Sequence, residues 1–413
     1  MVESVKLAPP CLFLGFHIEN IQQGGTKMDV FDFILQIVLV LFVAKIAGQI
    51  SLRFGQPSVL GKIIAGIILG PAVLGWIEQT ELIHVFSEIG VLLLMFLAGL
   101  ETDLESLGKN AKAATLVAVL GVIMPILMGW AASPIFHIPT SEGVFLGLLL
   151  AATSVSISVQ TLREIGWLNS REGATLLGAA VLDDVIVVIL IAVAIGFFMG
   201  TDTNLAWVIA QQVIFFIIIY IVGRYIVPKF MHLFEGMSVT EPIVTAGLIL
   251  IFAAAYFADF LGVSGIIGTY FMGVAISRTK YAKEIEHGVS PIAYGIFVPF
   301  FFINIGLPMS FDGIGDQIVF IIVFSLIAIL SKFIGCGLGA KVCGFGWKSS
   351  AGIGAGMISR GEVALILASI GLSGGILSHK IYGAMIVVII VTTLVTPPLL
   401  KLIFGKRHEE QAL

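Results

Sequence analysis

Long apolar runs, separated by short polar interruptions, set the pattern of this chain. They fall near residues 31–50, 57–76, 82–100, 112–133, 142–160, 174–199, 205–227, 240–259, 262–277, 289–308, 317–340, 349–371 and 380–403. Most approach the roughly 20 residues a helix needs to cross the hydrocarbon core of a bilayer. Inside that core each backbone N–H and C=O must find a partner within its own segment, so the runs are predicted to be helices. The expected fold is all-α and integral to the membrane, with about 13 transmembrane helices between residues 28 and 404. No soluble domain or long linker interrupts them. Residues 1–27 differ: the apolar part, Leu12 to Ile18, is too short to span. They are expected to be a cleavable leader or an extension ahead of a start at Met28. Residues 405–413 form a short tail.

Composition agrees with the pattern. The chain is 58% hydrophobic and 12% charged, against about 25% charged for an average soluble domain. Its 47 glycines suit helices packed closely in lipid. Cys11, Cys336 and Cys343 have neither metal nor disulfide spacing, and the seven histidines are scattered. No phosphate-binding glycine-lysine loop is present. No cofactor, nucleic-acid partner or enzymatic activity is expected.

The basic residues add an orientation. Odd-numbered connections hold Arg53, Lys109, Lys112, Arg163, Arg171, Arg224, Lys229, Arg278, Lys280, Lys283, Lys341 and Lys348, and the C-terminal end adds Lys401, Lys406 and Arg407. These are 15 of the 22 lysines and arginines. The excess of positive charge on cytoplasmic loops predicts a cytoplasmic C-terminus and an external N-terminus.

An internal register also emerges. Gly61 and Gly66 reappear as Gly268 and Gly273, and Ala98-Gly99-Leu100 as Ile305-Gly306-Leu307, both at an offset of 207 residues. That offset joins each span to the seventh after it, so partners run in opposite directions. Inverted-topology repeats are a signature of secondary transporters, with broken helices meeting at midplane.

Against this background the charges inside apolar runs stand out. Asp183 and Asp184 are adjacent in an otherwise uncharged stretch from Leu176 to Met199. An aspartate at mid-membrane costs on the order of 2.5–3.5 kcal/mol and is by default a candidate functional group. Lys332, Arg360 and Glu362 lie in two later runs, and Thr153 and Ser154 belong to a small polar patch ending at Ser158. Spans five and twelve, repeat partners, each have a stretch able to unwind. A carboxylate, hydroxyls and freed carbonyls would suit sodium or lithium, hard ions that prefer oxygen ligands. Protons and a bound cation compete for the same carboxylate. Lys332 is read as an ion-pair partner of one aspartate or as a proton carrier. Arg360 and Glu362 are read as a structural pair or gate. Glu88 is expected to pair locally, and Lys45 and Lys62 to snorkel towards the interface.

Four stretches carry a family resemblance: Gly61 to Pro71, Leu97-Ala98-Gly99-Leu100-Glu101, Leu182-Asp183-Asp184 and Ser359-Arg360-Gly361-Glu362. From about residue 30 to 404 the chain resembles the second branch of the cation/proton antiporter superfamily, the bacterial sodium/proton antiporters of the NapA type. The resemblance implies a core domain near 112–199 and 317–403 and a panel near 31–100 and 240–308 through which such proteins form homodimers. It implies elevator-like alternating access in a bacterial inner membrane, serving pH homeostasis. It assigns transient cation binding to Asp184, the ion pair to Asp183 and Lys332, and lining hydroxyls to Thr153 and Ser154. The two-aspartate form implies electrogenic exchange, two protons for one sodium. A potassium/proton antiporter on the same fold is the alternative. A passive channel is disfavoured, because a channel needs a continuous pore rather than a titratable trap.

Overall fold

The computed structural model describes residues 30–102, 104–199, 205–309 and 314–405. The expected N-terminal extension, residues 1–27, lies outside the described residues, as does the tail after Gly405.

The first half of the chain forms α1 (Val30–Arg53), α2 (Ser58–Leu69), α3 (Glu81–Leu100), the short α4 (Leu104–Lys109), α5 (Ala111–Ala132), α6 (Thr140–Ala151), α7 (Val155–Glu164) and α8 (Arg171–Met199). Next come α9 (Leu205–Ile221) and α10 (Val227–Glu235). The second half forms α11 (Pro242–Phe260), α12 (Gly265–Ile276), α13 (Ala282–Ile292), α14 (Val298–Gly306), α15 (Ile314–Val342), α16 (Trp347–Gly356), α17 (Glu362–Ser373) and α18 (His379–Phe404). Ten of the described helical segments are long and apolar enough to cross a membrane. Helix length alone does not fix the count at 13: α2, α12 and α17 are shorter apolar helices.

Two helices extend beyond their apolar runs. α9 and α10 join through a π turn at Val222–Ile226, so this segment continues to Glu235 rather than ending near residue 227. α13 begins at Ala282, seven residues before the apolar run, and joins α14 through a π turn at Ala293–Phe297. Polar residues carry both helices past the end of the apolar signal. Each π turn is followed by a Val-Pro pair, Val227-Pro228 and Val298-Pro299. Proline supplies no N–H, and the ladder shifts so that Val227 and Val298 donate five residues back, to Val222 and Ala293.

The 207-residue register is built into the packing. α2 and α12 begin and end at that offset. A Cβ on Gly61 would lie 2.2 Å from the Ala47 carbonyl oxygen, and one on Gly268 would lie 2.4 Å from that of Ala254. Gly66 faces the Ile303 carbonyl and Gly273 the Phe96 carbonyl, at 2.1 and 2.2 Å on the same construction. Every partner in these contacts differs by 207, so one set of close approaches occurs twice. The second half repeats the first, with α9–α10 interposed and the direction of entry reversed.

The odd-numbered connections gather at one end. Arg163 binds Glu101 through two nitrogens, and Glu164 accepts from the Ser58 amide at 2.6 Å and from its hydroxyl. Arg171 donates to Asn110 at 3.1 Å and lies 3.9 Å from the Phe345 ring centre; Lys401 donates to the Gly55 carbonyl. At the opposite end Gln79 meets Asn304, and Phe136 lies 5.2 Å from Phe320. This is the alternation read from the loop charges.

Lys45 donates to the Tyr294 carbonyl at 3.3 Å. Lys62 is half-buried with its ammonium 5.5 Å from the Phe302 ring centre, so it does not simply reach for the interface. Glu88 pairs with His84, one turn earlier, at 3.3 Å.

Candidate functional site

Two helices break at mid-length. α6 ends at Ala151 and α7 starts at Val155; α16 ends at Gly356 and α17 starts at Glu362. The extended segments between them cross. Ser154 donates its amide to the Ser359 carbonyl at 2.8 Å, and the Ser359 hydroxyl donates to the Ser154 carbonyl, also at 2.8 Å. The Ser158 hydroxyl donates to the Gly356 carbonyl and lies 3.2 Å from the Ser359 hydroxyl. Gly361 is required by space: a Cβ there would sit 2.7 Å from Ser154 Oγ. The Thr153 hydroxyl is buried and donates, at 3.4 Å, to the Ala151 carbonyl.

A broken helix leaves carbonyls at one end without partners. Arg360 supplies them here. Its Nε and Nη2 donate to the Leu150 carbonyl at 3.0 and 2.6 Å, Nη2 also to the Ala328 carbonyl of α15 at 3.0 Å, and Nη1 to the Ile358 carbonyl. The guanidinium therefore sits against the negative end of α6. Its described hydrogen bonds all go to main-chain oxygens. Glu362 opens α17, and its side chain lies outside the described residues. From α18, Thr393 donates to the Arg360 carbonyl at 2.5 Å and fixes the second break from behind.

α8 packs against α6, α7 and α16. Its close approach to α16 needs a glycine, since a Cβ on Gly356 would lie 2.0 Å from Leu176 Cδ1. Asp183 is fully buried and accepts from Lys332 Nζ at 2.8 Å; the lysine is fully buried too. Space for the pair comes from Gly121 of α5, where a Cβ would lie 2.6 Å from Cys336 Sγ and 3.5 Å from Lys332 Nζ. The second oxygen of Asp183, Oδ2, has no hydrogen-bond partner among the described residues. Asp184 is buried, with 7% of its surface accessible. Adjacent helical residues diverge by about 100°, so Asp183 and Asp184 leave α8 in different directions.

The structure thus joins Asp183 to Lys332, and Ser154 to the Ser359–Gly361 segment. It adds residues absent from the sequence-derived site: Ser158, Ser359, Thr393 and Gly121. Ser158 and Ser359 stood in the polar stretches already noted. Thr393 and Gly121 carry no local signal, because their role is defined by a distant partner.

A pair of broken helices crossing inside an inverted repeat, beside buried acids and a lysine, defines a secondary transporter. The chain belongs to the family of transmembrane sodium/hydrogen exchangers, whose model matches residues 36–406, and with it to the cation/proton antiporter superfamily. It is 53% identical over 379 residues to the Na(+)/H(+)-K(+) antiporter GerN of Bacillus cereus, covering 92% of this chain and 98% of that one. It is 40% identical over 373 residues to a Na(+)/H(+) antiporter of Enterococcus hirae, covering 90% and 97%. The solved sodium proton antiporter MjNhaP1 from Methanocaldococcus jannaschii shares the fold, with a TM-score of 0.62 at 16% identity over 89% of this chain and 95% of that one.

Proposed function

We propose that this protein exchanges cytoplasmic sodium or lithium for external protons, with Asp184 as the carboxylate that takes either the cation or a proton. The observation that carries the reading is the Asp183–Lys332 pair, 2.8 Å apart and fully buried, next in sequence to Asp184 on a helix packed against both broken segments. Lys332 is paired with Asp183, and the family resemblance puts the cargo on Asp184. Thr153 and Ser154 line the site at the first break. Exchange is electrogenic, two protons for one cation, with the Asp183–Lys332 pair carrying or gating the second proton. The core containing α5–α8 and α15–α18 moves as a body against the panel formed by α1–α3 and α11–α14, and the panel pairs two copies. The basic end faces the cytoplasm, as the charge bias of the odd-numbered connections requires.

Potassium is the second reading, favoured by GerN, whose name includes it. Proton flux in proteoliposomes, driven in turn by sodium, lithium and potassium, separates the two. With an imposed membrane potential the rate is expected to change; a potential-independent rate would rule out the two-for-one stoichiometry. Asp184→Ala is expected to abolish flux in folded protein, and persistent flux would remove Asp184 from its role.

A further inference from the structure

Away from the crossing, a cavity of about 340 Å³ opens between the connecting helix α9–α10 and α12. Its inner wall is apolar, built by Phe216, Ile219, Phe271 and Val274, and Arg224 and Arg278 also line it. The two helices touch below the cavity, where a Cβ on Gly223 would lie 2.8 Å from Ala275 Cβ. Arg224 sits within the π turn, and both arginines are exposed.

The depth of these arginines matters. Leu205–Glu235 is a continuous segment of 31 residues, long and apolar enough to cross a membrane, and only 17% of its most apolar window is buried, so most of that apolar surface is exposed. Arg224 stands about 28 Å along this helix from Leu205, at 1.5 Å per residue. That is close to the roughly 30 Å thickness of the hydrocarbon core. The guanidinium is therefore at a membrane boundary, with the apolar wall running back into the acyl region.

Neither arginine has a carboxylate among the described residues. The nearest acid along the helix, Glu235, is already taken: Lys280, Tyr281 and His232 all bind it. Its carboxylate in turn holds Lys280 above the usual lysine range. Two exposed cations with no carboxylate partner among the described residues, over an apolar slot at the membrane boundary, match a ligand with a phosphate at one end and hydrocarbon at the other. Basic pockets between membrane helices bind anionic headgroups in this way.

We propose that this cavity is a binding site for one anionic phospholipid, its phosphate held by Arg224 and Arg278 and an acyl chain lying along the apolar wall. Native mass spectrometry of the full chain tests it. Delipidated protein is titrated with phosphatidylglycerol, phosphatidylcholine, glycerol phosphate or inorganic phosphate. One phosphatidylglycerol per chain is expected to be retained, resisting displacement by phosphatidylcholine. Arg224→Gln with Arg278→Gln should weaken that retention roughly 30-fold, the contribution of about two basic residues at an anionic surface. Equal retention of phosphatidylcholine by the wild-type protein would overturn the proposal without any variant. So would equal binding of the free phosphates, which would mark a soluble-anion site. Unchanged retention in the double variant, or a change in subunit number in its place, would assign the face to something other than lipid.

Discussion

Lys332 and Asp183 occupy a place where neither charge would be stable by itself. Both are fully buried, and each offsets the desolvation of the other across 2.8 Å. Removing one partner of a buried pair typically costs about 3–5 kcal/mol, whereas replacing both by neutral groups is often close to neutral. Asp183→Asn is therefore expected to lower stability by that amount in detergent-solubilised thermal unfolding. Adding Lys332→Met should recover most of the loss. Arg360 makes a different case, since its guanidinium reaches three separate carbonyls. A lysine is a point charge and cannot reproduce the fork. Arg360→Lys should lose at least about 2 kcal/mol, from hydrogen bonds worth roughly 1.5–3 kcal/mol each when one group is charged. The measurement is the same unfolding midpoint. These two residues also mark what could be read in advance. A charged pair split between two apolar runs shows itself in the sequence, because nothing else there can neutralise it. An arginine that serves main-chain oxygens does not, because carbonyls have no letter of their own.

At the scale of elements, the crossing depends on breaks that a bilayer would ordinarily forbid. The Ser154 amide donates to the Ser359 carbonyl, the Ser359 hydroxyl donates to the Ser154 carbonyl, and the Ser158 and Thr393 hydroxyls donate to further carbonyls. Small and hydroxyl-bearing residues announced both breaks in the sequence. The lengths of α9–α10 and α13–α14 were not announced, because a helix need not stop where apolarity stops. Gly361→Ala would press a methyl group within 2.7 Å of Ser154 Oγ. Overpacking of this kind costs about 1–3 kcal/mol, and here it separates the two segments that frame the site. Flux in proteoliposomes is expected to fall further than the unfolding midpoint does.

The whole molecule is a duplicated unit, and the glycine seams provide a test of that. Gly66→Ala and Gly273→Ala introduce the same clash at equivalent places, against Ile303 and Phe96. Each should destabilise by about 1–3 kcal/mol, and by nearly the same amount. Clearly unequal losses would show that the two halves do not carry equivalent loads. The moving-core reading meets its own test at the basic end, where α7 touches α2 and α3. In a background without native cysteines, Ser58→Cys with Glu164→Cys joined by a short bifunctional reagent is expected to stop exchange, and reduction to restore it. Continued exchange in the joined protein would exclude sliding of one body past the other at that contact.

That same contact has no counterpart in the repeat. The 207-residue register carries Ser58, Glu101, Arg163 and Glu164 onto Gly265, Pro308, Ile370 and Gly371, none of them charged. The scaffold is duplicated, but among the described residues this polar contact is made by one half of the repeat and not by its counterpart positions. If the core moves as proposed, a device with matched halves and this unmatched fastening has no reason to divide its time evenly between its two limits. On that proposal its resting bias is adjustable through four polar side chains, without altering any helix of the repeat.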